Sequence, residues 1–241
     1  MIFNIRIEYF SLNWKIILII FLRFEKNKEH PVYNLGLLKN FQYVLGNYSA
    51  FVMYFMTFIA SYILNFYLQD ALGYDARFTG LFLLATPLAV VLVSSFAGKL
   101  SDKRDERTIS SIALTFILIN VVILFFMDCL PLYALLIACV LQGIGHGLFS
   151  SPNNRFVLTI VDQKELSDAS TILSTSKDVG KSMSLALFSI ICGFVLGTSN
   201  ALDENIHSFL ISSKIMLGIV IFLGLSSIIL LILSKVKDNP T

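Results

Sequence analysis

Charged residues are scarce in this sequence, and six long intervals contain none. Only 14% of the 241 residues are charged, whereas 56% are hydrophobic. Asp, Glu, Lys and Arg are absent from 40–69, 78–98, 108–127, 129–154, 182–202 and 215–234. A helix of about 20 residues crosses the hydrocarbon layer of a bilayer, and each interval is at least that long. Because the strands of membrane barrels are only about ten residues long and alternate in polarity, the intervals predict six membrane-spanning helices in an all-α bundle.

Cysteines and metal-ligand patterns are also scarce. Cys129, Cys139 and Cys192 have no paired spacing, and each lies in or beside an apolar interval. They are expected to be small hydrophobic side chains rather than a disulfide framework or a metal site. No spaced nucleophile, base or metal-binding set occurs, so we expect neither an enzyme nor a bound cofactor. The net charge of +2 and the lack of a basic domain argue against a nucleic-acid partner.

A weaker apolar stretch at 11–24 precedes the six intervals. Arg6, Glu8 and Lys15 interrupt the approach to it. A signal peptide is the alternative interpretation, but no small-residue cleavage site follows, and the charged residues at 23–28 are typical of a cytosolic flank. We therefore expect a partial transmembrane helix.

Basic residues concentrate at alternate ends of successive spans, which predicts the orientation. They cluster at 23–39, 99–107, 155–164 and 235–237, whereas the intervening connections are poorer in positive charge. By the positive-inside bias, the basic connections and the C-terminus are expected to be cytoplasmic. The chain is thus predicted to be a multi-pass protein of the cell membrane, with the lipid bilayer as one partner.

The first span has a polar flank along its whole length. At 100° per residue, the following side chains fall within roughly an 80° arc: Asn47, Tyr54, Ser61, Asn65 and Gln69. Polar groups that face lipid are costly, so this flank is expected to face protein or water. Two interpretations remain open, a water-accessible pathway and interhelical hydrogen bonding.

The fourth span repeats this pattern. Gln142, His146 and Asn153 occupy roughly a 40° arc, and Gly143 and Gly147 form a small-residue pair on another flank. His146 is a residue type that titrates near neutral pH and takes part in proton movement. The alternative is a structural hydrogen bond from His146 to a backbone carbonyl or to Gln142.

The fifth span is predicted to open with three charged residues at its cytoplasmic end. Lys177 and Lys181 share a helix face, while Asp178 and Lys181 are spaced for an ion pair. Lysines at this position either extend to the membrane interface or form an ion-paired gate.

The charged turn between the second and third spans resembles a motif of the major facilitator superfamily. That motif reads glycine, three residues, aspartate, a basic residue, any residue, glycine and two basic residues. The matching residues here are Gly98, Asp102, Lys103 and Arg107. Asp105 stands where the second glycine belongs, and Glu106 where a basic residue does.

Three further stretches are similar to the fourteen-helix drug:proton antiporter branch of that superfamily, namely 25–35, 67–74 and 147–154. The resemblance implies the C-terminal six-helix half of a major facilitator fold plus one preceding linker helix. It implies a partial linker helix and connector at 1–40, a six-helix bundle at 41–235 and a cytoplasmic tail at 236–241. In this fold the first and fourth helices of each bundle line the central cavity, as the two polar flanks independently suggest.

The resemblance implies half of a transporter that exports lipophilic or cationic drugs against proton entry, by alternating access between two bundles. The expected gating motif consists of the four matching residues named above. The expected cavity residues are Asn47, Tyr54, Asn65, Gln69, Gln142, His146 and Asn153. Expected partners are a small lipophilic substrate, protons, and an N-terminal transporter half or a second copy. The alternative is a truncated or split membrane protein with no transport activity of its own.

Overall fold

The computed structural model describes residues 35–101, 104–196 and 202–238. Within these ranges, seven α-helices follow one another: α1 (Phe41–Phe66), α2 (Ala76–Leu83), α3 (Ala85–Ser101), α4 (Glu106–Phe125), α5 (Leu132–Thr159), α6 (Leu166–Leu196) and α7 (Leu202–Asp238). A π-helical turn at Tyr67–Ala71 extends α1, and short 3-10 helices occupy Leu35–Lys39 and Gln163–Glu165. The stretch at 11–24 lies outside the described residues, so the linker helix and the boundary at residue 40 stay predictions.

The prediction of an all-α membrane bundle is confirmed. Among the described residues, six helical segments are long and apolar enough to cross a bilayer: Phe41–Ala71, Ala76–Leu100, Glu106–Phe125, Leu132–Thr159, Gln163–Val195 and Ile206–Lys235. Each overlaps one charge-free interval of the sequence. The second span contains α2 and α3, and the other five correspond to α1, α4, α5, α6 and α7 in order.

Side-chain caps set the start of three helices. Asn40 precedes α1 and accepts hydrogen bonds from the backbone N–H groups of Gln42 and Tyr43, at 3.0 and 3.4 Å. Asp75 caps α2, and Asp105 caps α4. A side-chain oxygen at this position satisfies backbone donors that have no partner within the helix. These polar residues therefore fix where the apolar helices begin.

The second span is interrupted at Leu84, and Pro87 explains the interruption. A proline has no N–H, so Pro87 cannot donate to the carbonyl of Leu83 one turn earlier. The bonds on either side are intact: Leu84 N–H donates to Gly80 O, and Leu88 N–H donates to Leu84 O, both at 3.1 Å. The break is local, and α2 and α3 continue as one membrane span.

The first span lies at the centre of the packing. In its most apolar 18-residue stretch, 56% of the residues are buried inside the bundle, compared with 17% for the second and fifth spans. It packs against α5, α6 and α7, while α5 also packs against α3 and α4. Close approach of α5 to α3 depends on the predicted small-residue pair. A Cβ at Gly143 would lie 2.4 Å from Thr86 O, and one at Gly147 would lie 3.1 Å from Val90 O.

The helix that contains the fifth span begins before Lys177. α6 begins at Leu166, so Lys177, Asp178 and Lys181 lie in the middle of a 31-residue helix. The preceding turns are polar but helical, and their hydroxyls are satisfied by carbonyls one turn back: Thr171 donates to Ser167 O at 2.9 Å and Thr175 to Thr171 O at 2.8 Å. A helix that carries charged residues inside the bundle therefore begins before its charge-free interval, so that interval does not locate the start of the helix.

Candidate functional site

Three helices bring aromatic and lysine side chains together inside the bundle. The ring of Tyr54 on α1 packs edge to face on the ring of His146 on α5, with 5.3 Å between centroids. The Nζ atoms of Lys177 and Lys181 on α6 lie 5.5 and 5.2 Å from the centroid of the same Tyr54 ring, within the range of cation–π attraction. We call these four residues the mid-depth cluster.

The mid-depth cluster lies far from the ends of its helices. Because consecutive spans run in opposite directions, α1 begins, α5 ends and α6 begins at one end of the bundle, which we call the basic end. Tyr54 lies 13 residues from that end of α1, His146 lies 13 from that end of α5, and Lys177 lies 11 from that end of α6. At 1.5 Å per residue these positions are roughly 17 to 20 Å along each helix, at least three turns from its basic end.

The two lysines of the cluster have different partners. Lys177 Nζ donates to Asn154 Oδ1 on α5 at 2.7 Å. Lys181 Nζ forms an ion pair with Asp178 Oδ1 at 3.0 Å, and the Asp178 side chain is 68% exposed. The ion pair anticipated from the spacing of Asp178 and Lys181 is therefore present. One carboxylate accompanies two ammonium groups, so the cluster has an excess of one positive charge.

His146 borders an open cavity of about 380 Å³ between α3 and α5. Val90 and Ser94 line one side of the cavity, and the other side is formed by Gly147, Ser150, Ser151 and Asn154. The Nδ1 atom of His146 is buried and has no hydrogen-bond partner within the described ranges. An imidazole nitrogen in this state can accept a hydrogen bond or a proton.

Several polar residues predicted to line a cavity make bonds within the bundle instead of facing open space. Gln142 is 1% exposed, and its Nε2 donates to Thr57 O and Ser61 Oγ of α1, at 3.1 and 2.7 Å. Asn47 accepts from Ser176 Oγ of α6 at 3.3 Å. Both residues tie α1 to a neighbouring helix, which matches the interhelical interpretation of the polar flanks. A cavity role for them stays a prediction.

Other members of the predicted set differ in exposure. Gln69 Nε2 donates to Asn65 Oδ1 at 2.7 Å, and both side chains are half-buried on α1. Asn153 is fully buried, and neither its Oδ1 nor its Nδ2 has a hydrogen-bond partner within the part of the chain that the structure describes. Of the seven predicted cavity residues, only Tyr54 and His146 belong to the mid-depth cluster.

The predicted gating motif is described only in part, because Asp102 and Lys103 lie outside the described residues. Gly98 is half-buried at the end of α3. Arg107 Nη1 donates to Ser234 O of α7 at 3.3 Å, and its guanidinium lies 5.8 Å from the centre of the Phe156 ring. Arg107 therefore links the start of α4 to α5 and α7.

The two residues that depart from the motif pair with basic residues of the same bundle. Asp105 lies 3.4 Å from Arg107 Nε and 3.7 Å from Lys235 Nζ. Glu106 Oε1 lies 3.2 Å from Arg155 Nε on α5. Burial alone raises the pKa of Asp105, but hydrogen bonds from Thr108 and the charge of Arg107 outweigh it, so the pKa lies below its ordinary value. We call these five charged residues the basic-end network.

Sequence reasoning missed Asn154 and the convergence of the lysines on Tyr54. Asn154 was part of the stretch at 147–154 that carried the family resemblance, which was the available signal. The contact between α1 and α6 depends on Gly180. A Cβ there would lie 2.5 Å from Phe51 O, so only glycine allows the two backbones to approach this closely.

In the described part of the chain, six apolar helices long enough to span a bilayer surround a polar, charged site, as in a polytopic membrane protein. Residues 46–240 match the family model described as Major Facilitator Superfamily. The chain therefore belongs to the Major Facilitator Superfamily, a family of membrane transporters rather than enzymes.

Individual relatives are similar to the chain over most of its length. A riboflavin transporter, RibZ, of Clostridioides difficile (strain 630) is 28% identical over 207 residues, which are 86% of this chain and 45% of that protein. An uncharacterized transporter, YebQ, of Escherichia coli (strain K12) is 28% identical over 174 residues, 72% of this chain and 38% of that protein. The multidrug resistance protein Stp of Mycobacterium tuberculosis is 23% identical over 180 residues, 74% of this chain and 34% of that protein. The chain thus spans less than half the length of these relatives.

Proposed function

We propose that the chain forms the C-terminal bundle of a major facilitator transporter and supplies one wall of its substrate pathway. The observation that carries this proposal is the mid-depth cluster, in which three helices place Tyr54, His146, Lys177 and Lys181 near the middle of the bundle. Ionisable side chains at this depth are costly and mark substrate or ion pathways. Transporters of this kind bind substrate near the bilayer midplane between two bundles.

The proposed activity is proton-coupled efflux of lipophilic small molecules by alternating access. His146 is the proposed proton-exchanging group, since its buried Nδ1 lacks a hydrogen-bond partner in the described segments and the residue borders a cavity. The relatives named for riboflavin transport and multidrug resistance support small organic molecules as substrates. The basic connections and the C-terminus are proposed to be cytoplasmic.

The proposed partner is a second bundle that completes the pathway, either an N-terminal transporter half or a second copy of this chain. Alternating access requires two bundles that rock about a central site, and the described residues form one. In this arrangement the motif residues Gly98, Asp102, Lys103 and Arg107 gate the cytoplasmic side. The carboxylate of Asp102 is proposed to bind the N-terminus of another helix.

Reconstitution tests this proposal. The chain is placed in proteoliposomes, alone or together with an N-terminal bundle from the same branch, and flux of fluorescent dyes is measured under an imposed proton gradient. We expect gradient-dependent flux only when both bundles are present. Flux from the chain alone, without a crosslinked homodimer, would contradict the two-bundle proposal. No flux from either preparation, with both bundles folded, would favour the non-transporting alternative.

A histidine pair tests the proton-coupling step within the same assay. His146→Gln is expected to remove the dependence of flux on the proton gradient, because glutamine retains hydrogen bonding but does not titrate. His207→Gln is the matched control, since His207 is exposed near the start of α7. Equal gradient dependence in the wild type and in His146→Gln would exclude His146 as the coupling group.

A further inference from the structure

The charges at mid-depth are unequal in sign. Lys177, Asp178 and Lys181 are the charged residues of the described segments that lie in the middle of α6, and Asp178 is bound to Lys181 alone. Lys177 has a neutral amide, Asn154, as its hydrogen-bond partner. An amide oxygen orients an ammonium group but does not neutralise it. Lys177 therefore has no acidic hydrogen-bond partner in the described segments.

An aromatic surface continues from this charge along α1. Tyr54 and Phe58 are four residues apart and share a helix face. The Tyr54 ring contacts both lysines. The Phe58 residue has 41% of its surface exposed and so is available to a ligand. The site thus combines two ammonium groups with an aromatic surface one helical turn away, on the side of Tyr54 that leads away from the basic end.

We propose that this site selects aromatic organic anions over organic cations, with Lys177 and Lys181 binding the anionic group of the substrate and the Tyr54 and Phe58 face packing against its ring. This inference rests on the proposed transport function and gives its substrate class. An anion placed between the two lysines gains charge-assisted hydrogen bonds. A cation in the same position meets the net positive charge of the two ammonium groups and Asp178, which repels it.

Two dyes with the same xanthene ring system and opposite charge provide the direct test. Fluorescein is anionic and rhodamine 6G is cationic at neutral pH. Binding of each dye to the purified chain in zwitterionic lipid nanodiscs is measured by fluorescence anisotropy, with empty nanodiscs subtracted. We expect fluorescein to bind more tightly than rhodamine 6G. Loss of one ammonium contact in Lys177→Gln or Lys181→Gln should weaken fluorescein binding about tenfold.

Two further variants test whether fluorescein binding depends on a positive charge at residue 177. Lys177→Arg retains the positive charge and should restore most of the fluorescein affinity. Lys164→Gln removes an exposed lysine from the turn between α5 and α6 and should leave the affinity unchanged. Equal fluorescein affinity in the wild type and in both lysine-to-glutamine variants would overturn the inference, as would tighter binding of rhodamine 6G or no fluorescein binding.

Flux in the reconstituted two-bundle system separates this inference from the proposed function. Transport of rhodamine 6G that is unaffected by Lys177→Gln would preserve the transporter and overturn anion selectivity. Lysine-dependent binding of fluorescein without flux of any dye would preserve the site and remove the transport function. Equal loss of flux for both dyes in Lys177→Gln, with rescue by Lys177→Arg, would mean that the lysine pairs with a carboxylate of the partner bundle, which also overturns the inference.

Discussion

The mid-depth cluster and the basic-end network both contain charged side chains from several helices, but their charges are arranged differently. In the basic-end network, Asp105 lies near Arg107 and Lys235, and Glu106 pairs with Arg155. Thr108 also binds two members of that network: its hydroxyl donates to Asp105 Oδ2 at 2.8 Å and accepts from Lys235 Nζ at 2.6 Å. In the mid-depth cluster, by contrast, Lys177 binds a neutral amide.

This difference separates charges that hold helices together from charges available to a ligand. The network closes on itself across α4, α5 and α7, so each acidic residue has a basic partner and the arrangement needs no other molecule. In the cluster, Lys177 has no acidic partner among the described residues, and His146, which borders the cavity, has a ring nitrogen without a hydrogen-bond partner there. Keeping a charged group and an unpaired ring nitrogen inside the bundle lowers the stability of the fold. Such a cost is expected at a functional site rather than at a purely structural one.

The largest expected loss of stability comes from a substitution that separates α6 from α1 at the mid-depth cluster. Gly180→Val would place a Cβ 2.5 Å from Phe51 O, with further atoms beyond it. Overpacking of this kind lowers the free energy of unfolding by about 1 to 3 kcal/mol. Gly193→Val on the same helix is the control, because a Cβ there meets no atom within 4 Å. Thermal unfolding of the purified variants measures both, and equal stability would mean that the close approach is unimportant.

A smaller loss of stability is expected from removing the hydrogen bonds by which Gln142 connects α5 to α1. Gln142→Leu removes the hydrogen bonds to Thr57 O and Ser61 Oγ. Interhelical hydrogen bonds within membranes contribute roughly 0.6 kcal/mol each on average, so loss of both bonds should lower the free energy of unfolding by about 1 kcal/mol. The exposed Gln163→Leu is the control. An unchanged stability in Gln142→Leu would instead favour a cavity role for this residue.

The smallest effect is expected at the opposite end from the basic-end network. Lys214 Nζ donates to Asp128 Oδ2 at 2.7 Å, and this bond lowers the pKa of Asp128 below its ordinary value. A lowered pKa means that the contribution to stability is present above the ordinary pKa and is lost as the pH falls through the folded value. Surface pairs contribute little, so Asp128→Asn should leave the melting temperature at neutral pH within experimental scatter. A clear fall would show that this pair stabilises the bundle.

Much of the fold could be predicted because charge is excluded from lipid. The charge-free intervals located all six spans, and the positions of Asn40 and Asp105 fit the caps that begin α1 and α4. The start of α6 could not be found in this way, because Lys177 and Lys181 lie inside the helix and face other protein groups rather than lipid.

The site was predictable only in part. Periodicity placed Tyr54 and His146 on polar flanks, and both belong to the mid-depth cluster. The same periodicity cannot distinguish a residue such as Gln142, which binds a neighbouring helix, from one that faces a cavity, since both must avoid lipid. Which helix faces meet depends on close approach at Gly143 and Gly180, a property of three-dimensional packing between segments far apart in the sequence.

The most direct test of the contrast between cluster and network compares Lys177→Gln with Asp105→Ala, measuring fluorescein affinity and the free energy of unfolding for each. We expect Lys177→Gln to lose about tenfold in affinity and to unfold like the wild type. Asp105→Ala removes the cap of α4 and the centre of the network, so its free energy of unfolding should fall by about 1 kcal/mol, while the affinity of the folded protein is retained. If Lys177→Gln instead destabilised the fold as much as Asp105→Ala and left the dye affinity unchanged, the mid-depth cluster would be a structural element and the account would be contradicted.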